Sequence, residues 1–165
     1  MDALEAIRKR RSVRKFSGEP VSRQDLETIV DAGRLAATGY NRQPWDFIVI
    51  TQKETMNQLL PSPCLNKASA VIAVVMDPAS IYWQEDGAAA VQNMLIAATA
   101  LGYGSCWLQG DTQPHEENLK ELLKIPGNKK LFTLVSVGVP AESPKPHKKP
   151  LEAVLHWEVY GGKKE

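Results

Sequence analysis

The run ASAVIAVVM, residues 68–76, is the strongest constraint on how this chain folds. It is apolar at nearly every position instead of every second one, so it reads as a strand buried on both faces. The run LFTLVSVGVP, residues 131–140, has the same character and predicts a second buried strand. Between them, Asp86 to Leu101 places Ala88, Val91, Gln92, Leu95, Ala98 and Thr99 on one helical stripe, widened by Met94, Ile96 and Ala97. A helix apolar nearly all round belongs at the centre of a molecule.

The rest of the chain supplies covering elements. Leu4, Ile7 and Arg8 begin a short helix ending near Ser12. Ser22 and Asp25 form a capping box with Asp in place of Glu. Behind it Leu26, Ile29, Val30, Gly33 and Ala37 share a face, and the small residues of AGRLAATG permit close approach of another backbone. GYNRQP breaks this helix, WDFIVI reads as a strand, and a short helix is expected over 53–60 before the turn PSPC. Gly102 and Gly104 end the central helix. SCWL is a strand or loop, and QPHEENLKELLKI an amphipathic helix with Pro114 near its first turn. AESPKPHKKP is extended, and LEAVLHWEVY closes the chain. Helices alternating with buried strands give an α/β or α+β layered domain, and 165 residues suit one such domain spanning 1–165.

Several function classes are disfavoured. The apolar runs fall far short of the ~18 residues of a membrane span. The N-terminus puts acids first and has no apolar signal region. Cys64 and Cys106 lie far apart in sequence and form neither a disulfide framework nor a CxxC pair, so the cytoplasm is the simplest location. HEEN at His115 is not HExxH, and His115, His147 and His156 are dispersed without zinc spacing. There is no GxSxG and no P-loop; GYGSCW has Trp107 where a dinucleotide fingerprint needs a third glycine. With no nucleophile beside a base, either the chain is not an enzyme or a bound cofactor supplies the chemistry.

One charge cluster stands out. Six of the eight residues from Arg8 to Lys15 are Lys or Arg. Removing those six from 20 bases leaves 14 against 19 acids, a net of −5 over the other 157 residues. That balance argues against a nucleic-acid binder. Arg10, Ser12 and Arg14 alternate, so in an extended segment they point one way. Two guanidiniums flanking a hydroxyl suit a phosphate, with Val13 and Phe16 anchoring the segment on the core. The plain alternative is a solvated basic helix end complementing the dipole.

RRSVRKF, AATGYNRQPWDFIVI, DGAAAVQNMLIAATALGYGSCW, VSVGVP and a basic proline-rich tail occur here in that order. Together they resemble the FMN-dependent nitroreductase family, from about Leu4 to Tyr160. The resemblance implies an α+β three-layer fold, a central mixed or antiparallel sheet flanked by helices. It implies a homodimer whose C-terminal arm, about 141–165, packs on the partner. It also implies FMN reduced by NADH or NADPH and reoxidised in a ping-pong cycle by an electron-poor small molecule such as a nitroaromatic or quinone, with no catalytic side chain. Carried over by position, Arg10, Arg11, Ser12 and Arg14 would hold the ribityl-phosphate, joined by Lys148 or Lys149. Ala37, Thr38, Gly39, Asn41 and Gln43 would approach the flavin from the other subunit. Trp107, Leu108, Gln109 and Gly110 would run along the ring edge, with a backbone N–H near Gln109 facing N5. The segment 51–69 is shorter than in many relatives, and Asn66 and Lys67 lie where larger ones place an Asn and a Lys against the pyrimidine.

Each residue also has a plainer role. Asn41 can satisfy loop backbone, Gln43 and Pro44 can set a turn, Trp45 and Trp107 can be core, and Gly104 and Gly110 can be turn residues. Cys106 fits a small buried group, Gln92 a bond to a neighbour's backbone, and Asp86 a helix start. The same scaffold also admits dehalogenation, enone reduction, substrate oxidation or flavin binding without turnover.

Overall fold

The computed structural model describes residues 1–163. Four strands, β1 (Trp45–Ile50), β2 (Ala70–Met76), β3 (Gly104–Trp107) and β4 (Lys130–Gly138), form one sheet in the order β1-β2-β4-β3. Every neighbouring pair is antiparallel. The two uniformly apolar runs are thus the two central strands, and both are buried on both faces.

The sheet divides the core. Ala70, Ile72, Val74 and Met76 of β2 face one cluster, while Val71, Ala73 and Val75 face the other. The first cluster packs beneath α2 (Arg23–Arg34) and α4 (Trp83–Ala100), with α1 (Ala3–Lys9) against α4. On the opposite face lie α3 (Lys53–Met56), the turn Pro63–Leu65, α5 (Gln109–Thr112) and α6 (Glu116–Leu122). Three layers result, as the resemblance implies.

Local signals account for most boundaries. The Ser22 hydroxyl accepts from the Asp25 N–H at 3.0 Å and donates to the Asp25 carboxylate at 2.7 Å. The carboxylate therefore does not return to the Ser22 backbone; it takes a second hydroxyl, from Tyr103, at 2.7 Å. These donors, Ser22 first, hold the Asp25 carboxyl below its usual range. Helix α4 begins three residues before the expected Asp86, at Trp83. The helix expected over 53–60 stops at Met56. The amphipathic segment from Gln113 is a 3-10 turn followed by α6, because Pro114 interrupts the ladder. Gln92 is exposed, and its neighbour Asn93 makes the expected backbone bond, to Ala32 of α2 at 3.0 Å. Among the described residues no helix is long and apolar enough to cross a membrane, and no group of three His, Cys, Asp or Glu could hold a metal.

Candidate functional site

After α1 the backbone of Arg10 leaves helical geometry, and the chain runs along the sheet rim. Ser12 forms a parallel bridge to Ser105 of β3, and Phe16 an antiparallel bridge to Pro140 just beyond β4. The Val13 N–H donates to the Ser105 carbonyl and the Ser17 N–H to the Val139 carbonyl, both at 2.9 Å. Two glycines make this docking possible. Gly104 and Gly138 face each other across the β3–β4 pair. A Cβ on Gly104 would lie 2.8 Å from Val13, and one on Gly138 would lie 2.8 Å from Phe16. Both anchors are buried in the space the missing side chains leave, as the sequence suggests. Gly104 is thus a packing residue inside a strand and not a turn residue.

What the anchors leave outward is basic. Arg10 and Ser12 are half-buried; Arg14 and Lys15 are exposed. Alternation holds to Arg14 and then breaks, since the anchors are three residues apart. Among the described residues Lys9 is the one cation of the six in an ion pair, with Glu5 at 2.6 Å. Arg11 differs from its neighbours: its guanidinium donates to the Arg8 and Arg10 carbonyls at 2.6 and 2.8 Å, closing the end of α1. The helix-end reading therefore describes Arg11, while Arg10 and Arg14 make no ion pair among the described residues. Glu142 fixes the strip from the far end of the chain, its carboxylate accepting the Arg14 N–H at 2.7 Å and the Lys15 N–H at 3.2 Å. Two unpaired guanidiniums and a hydroxyl on a fixed strip fit the oxygens of a phosphate monoester.

The loop 38–43 is the second predicted contact. Tyr40, Asn41 and Gln43 all have left-handed φ, at 54°, 54° and 51°. Such residues cost roughly 1–3 kcal/mol each and persist where surroundings over-determine them, often at functional sites. Within the loop the Gln43 N–H donates to Thr38 Oγ1 at 3.2 Å, and the Gln43 amide donates to Asn41 Oδ1 at 3.2 Å. The Tyr40 ring stacks on Tyr82 with centroids 6.5 Å apart, and Arg42 lies 5.5 Å from the Tyr40 centroid. Ala37 is exposed beyond the end of α2. Pro44 is buried and leads into β1.

The third segment follows β3. Trp107 is half-buried against Phe132, and its indole N–H donates to Gln109 Oε1 at 3.1 Å. The Leu108 side chain is buried in the second core cluster, and its N–H is committed to Leu134 at 2.9 Å, so any part it takes along a ring edge is through the path of its backbone. Gln109 is half-buried and Gly110 exposed, at the start of α5. Asp111 accepts the Ser62 hydroxyl at 2.8 Å, and both border a cavity of about 300 Å³ with Pro61 and Gly110. Asn66 and Lys67 line a neighbouring cavity of about 520 Å³.

The cysteines, far apart in sequence, meet here. Burial first, then the adjoining Cys64 thiol, pushes the Cys106 thiol up to about 12, so it is a buried neutral group. Lys148 and Lys149 are exposed in the arm, and neither makes an ion pair among the described residues. His115, His147 and His156 are all exposed. Sequence reasoning misses Gly138, Glu142 and the role of Asp86. Their partners lie tens of residues away, and no local pattern marks them.

The molecule resembles known proteins along nearly its whole length. The family model described as nitroreductase family matches residues 7–70 and 60–139. An Archaeoglobus fulgidus protein with the provisional name NADH dehydrogenase/NAD(P)H nitroreductase is 40% identical over 158 residues, covering 86% of this chain and 87% of its own. A crystal structure of a provisionally named nitroreductase in complex with FMN, from Desulfovibrio desulfuricans, superposes with a TM-score of 0.84 at 30% identity, covering 96% of this chain and 98% of that one. A nitroreductase with bound FMN from Bacteroides fragilis gives a TM-score of 0.81 at 25% identity, covering 96% and 99%.

Proposed function

The chain belongs to the nitroreductase family, and we propose that it is a homodimeric, FMN-dependent NAD(P)H oxidoreductase that passes electrons in a ping-pong cycle to an electron-poor acceptor such as a nitroaromatic or quinone. The observation that carries this reading is the anchored strip, with Arg10 and Arg14 beside Ser12 and in no ion pair among the described residues. FMN ends in a phosphate of nearly two charges, and burying such a group requires cations and hydrogen bonds. Arg10, Ser12 and Arg14 would hold it. Arg11 would act through the end of α1, and Lys148 or Lys149 would close over it from the arm. Trp107, Gln109 and Gly110 would border the ring. Bound flavin supplies the redox chemistry, so the protein needs to bind and orient and needs no acid–base pair. Three exposed histidines agree with that.

The dimer rests on apolar surface that one chain leaves open. Leu151 is 64% and Tyr160 93% exposed in the arm, and Leu35, Tyr40 and Ile81 are exposed around the strained loop. Strand β1 is an outer strand of the sheet. An obligate interface of more than ~2,000 Å² would cover such surfaces. Thr38, Gly39 and Asn41 would then reach the FMN held by Arg10 and Arg14 of the other chain.

The test is spectroscopic. Purified protein should be yellow, release FMN on heating, bleach with NADH or NADPH without oxygen, and regain colour with a nitroaromatic. Release of FAD alone would reject the cofactor assignment. A yellow protein that neither nucleotide bleaches would reject the oxidoreductase assignment in favour of flavin binding alone.

A further inference from the structure

We propose that Asp86 is a positioning residue that sets the shape of the 38–43 loop, and through it the contact of Thr38, Gly39 and Asn41 with FMN; this rests on reading that loop as a flavin contact. Asp86 stands in the first turn of α4 and is 4% exposed. Its Oδ1 accepts the Gly39 N–H at 3.0 Å, across 47 residues of sequence. Three left-handed residues follow within four positions, none of them glycine, and the bonds within the loop are joined by supports from outside it. Two outside supports are in place: the Asp86 carboxylate and the Tyr82 ring. A Cβ on Gly39 would overlap that ring, so the loop backbone lies directly on the start of α4. Behind Asp86, α4 is locked by the buried Ala90, Val91 and Met94, which makes it a stiff mount.

The carboxylate is a poor choice for stability alone. Its other oxygen, Oδ2, is buried without a hydrogen-bond partner among the described residues. An unsatisfied buried acceptor is costly. The Asp86 charge suits the first turn of α4, and its one hydrogen bond among the described residues holds the Gly39 N–H.

The test compares Asp86→Asn, which keeps an oxygen towards Gly39, with Asp86→Leu, which does not. FMN affinity is read by fluorescence titration and flavin environment by visible circular dichroism. Asp86→Leu should weaken FMN binding by about tenfold or more, the effect of losing a hydrogen bond to a charged group, and should change the dichroism of the flavin still bound. Asp86→Asn should restore both. A purely structural role would lower the melting temperature and leave the bound-flavin spectrum unchanged. Wild-type affinity and spectrum in Asp86→Leu would overturn the proposal. Should that variant not fold, Asp86→Glu, which pushes the loop out by one methylene, must alter the spectrum; an unaltered one overturns it equally. Wild-type protein that takes up no FMN rejects the flavin reading itself, whereas FMN uptake indifferent to residue 86 rejects this proposal alone.

Discussion

The basic strip, residues 10–17, and the C-terminal arm beyond Glu142 both leave the layered core, and both carry cations, Lys and Arg in the strip and Lys alone in the arm. They are held in opposite ways. The strip has two bridges, two buried anchors and a carboxylate clamped on its backbone. In the arm, every residue from Lys145 to Gly161 is exposed, including Leu151, Val154, Leu155 and Val159. The strip has notches cut for it by Gly104 and Gly138. Apolar residues that find no notch on their own chain mark a surface awaiting a partner.

The contrast can be broken experimentally. Truncation after Ser143 removes the arm but keeps Glu142, and should have the largest effect: loss of the dimer, seen by light scattering, with the sheet intact by circular dichroism. A truncated chain that stays dimeric would show that the arm is not what joins the subunits. Phe16→Ala acts on the strip, and emptying its notch should cost about 3–5 kcal/mol in denaturant unfolding. A cost below about 1 kcal/mol would mean the strip is not anchored there. Arg14→Ala should leave stability alone and weaken FMN binding by about 1.5–3 kcal/mol, roughly ten- to a hundredfold. Arg11→Ala should weaken it less, because that guanidinium is turned back onto α1; equal losses would remove the distinction between the two. The smallest effect concerns Cys106. Its thiol pKa of about 12 lies above the ordinary value, so the reactive thiolate stays scarce until pH approaches that figure. Folded protein at pH 8 should resist iodoacetamide there, and rapid labelling would show that the β3 edge opens.

The layered fold was legible because β2 and β4 are apolar on both faces and α4 nearly all round, patterns that tolerate few arrangements. The anchors Val13 and Phe16 were legible for a related reason: apolar residues inside a basic run have one sensible destination. Arg11 was not separable from Arg10 and Arg14, since residue type is blind to which guanidinium turns back onto a helix end. Leu108 was placed among ring contacts by position, while its side chain went to the core because β3 leads straight into α5. Asp86 and Glu142 act through backbone N–H groups, which every residue but proline owns, so composition carries no trace of the pairing. The dimer and the individual flavin contacts stand on the resemblance and on exposed surface, and the experiments above address them.

The clamp at Glu142 also fixes an order of events. Arg14 precedes Glu142 by 128 residues, yet Phe16 bridges Pro140, the Ala141 N–H donates to Lys15, and Glu142 holds Arg14. None of these contacts exists while the ribosome is still making β4. The strip has no resting place until β4 and the residues just beyond it have emerged. The charge cluster therefore stays unfixed until β4 and the residues just after it are made, and a ligand that needs the fixed strip can be held only from then on.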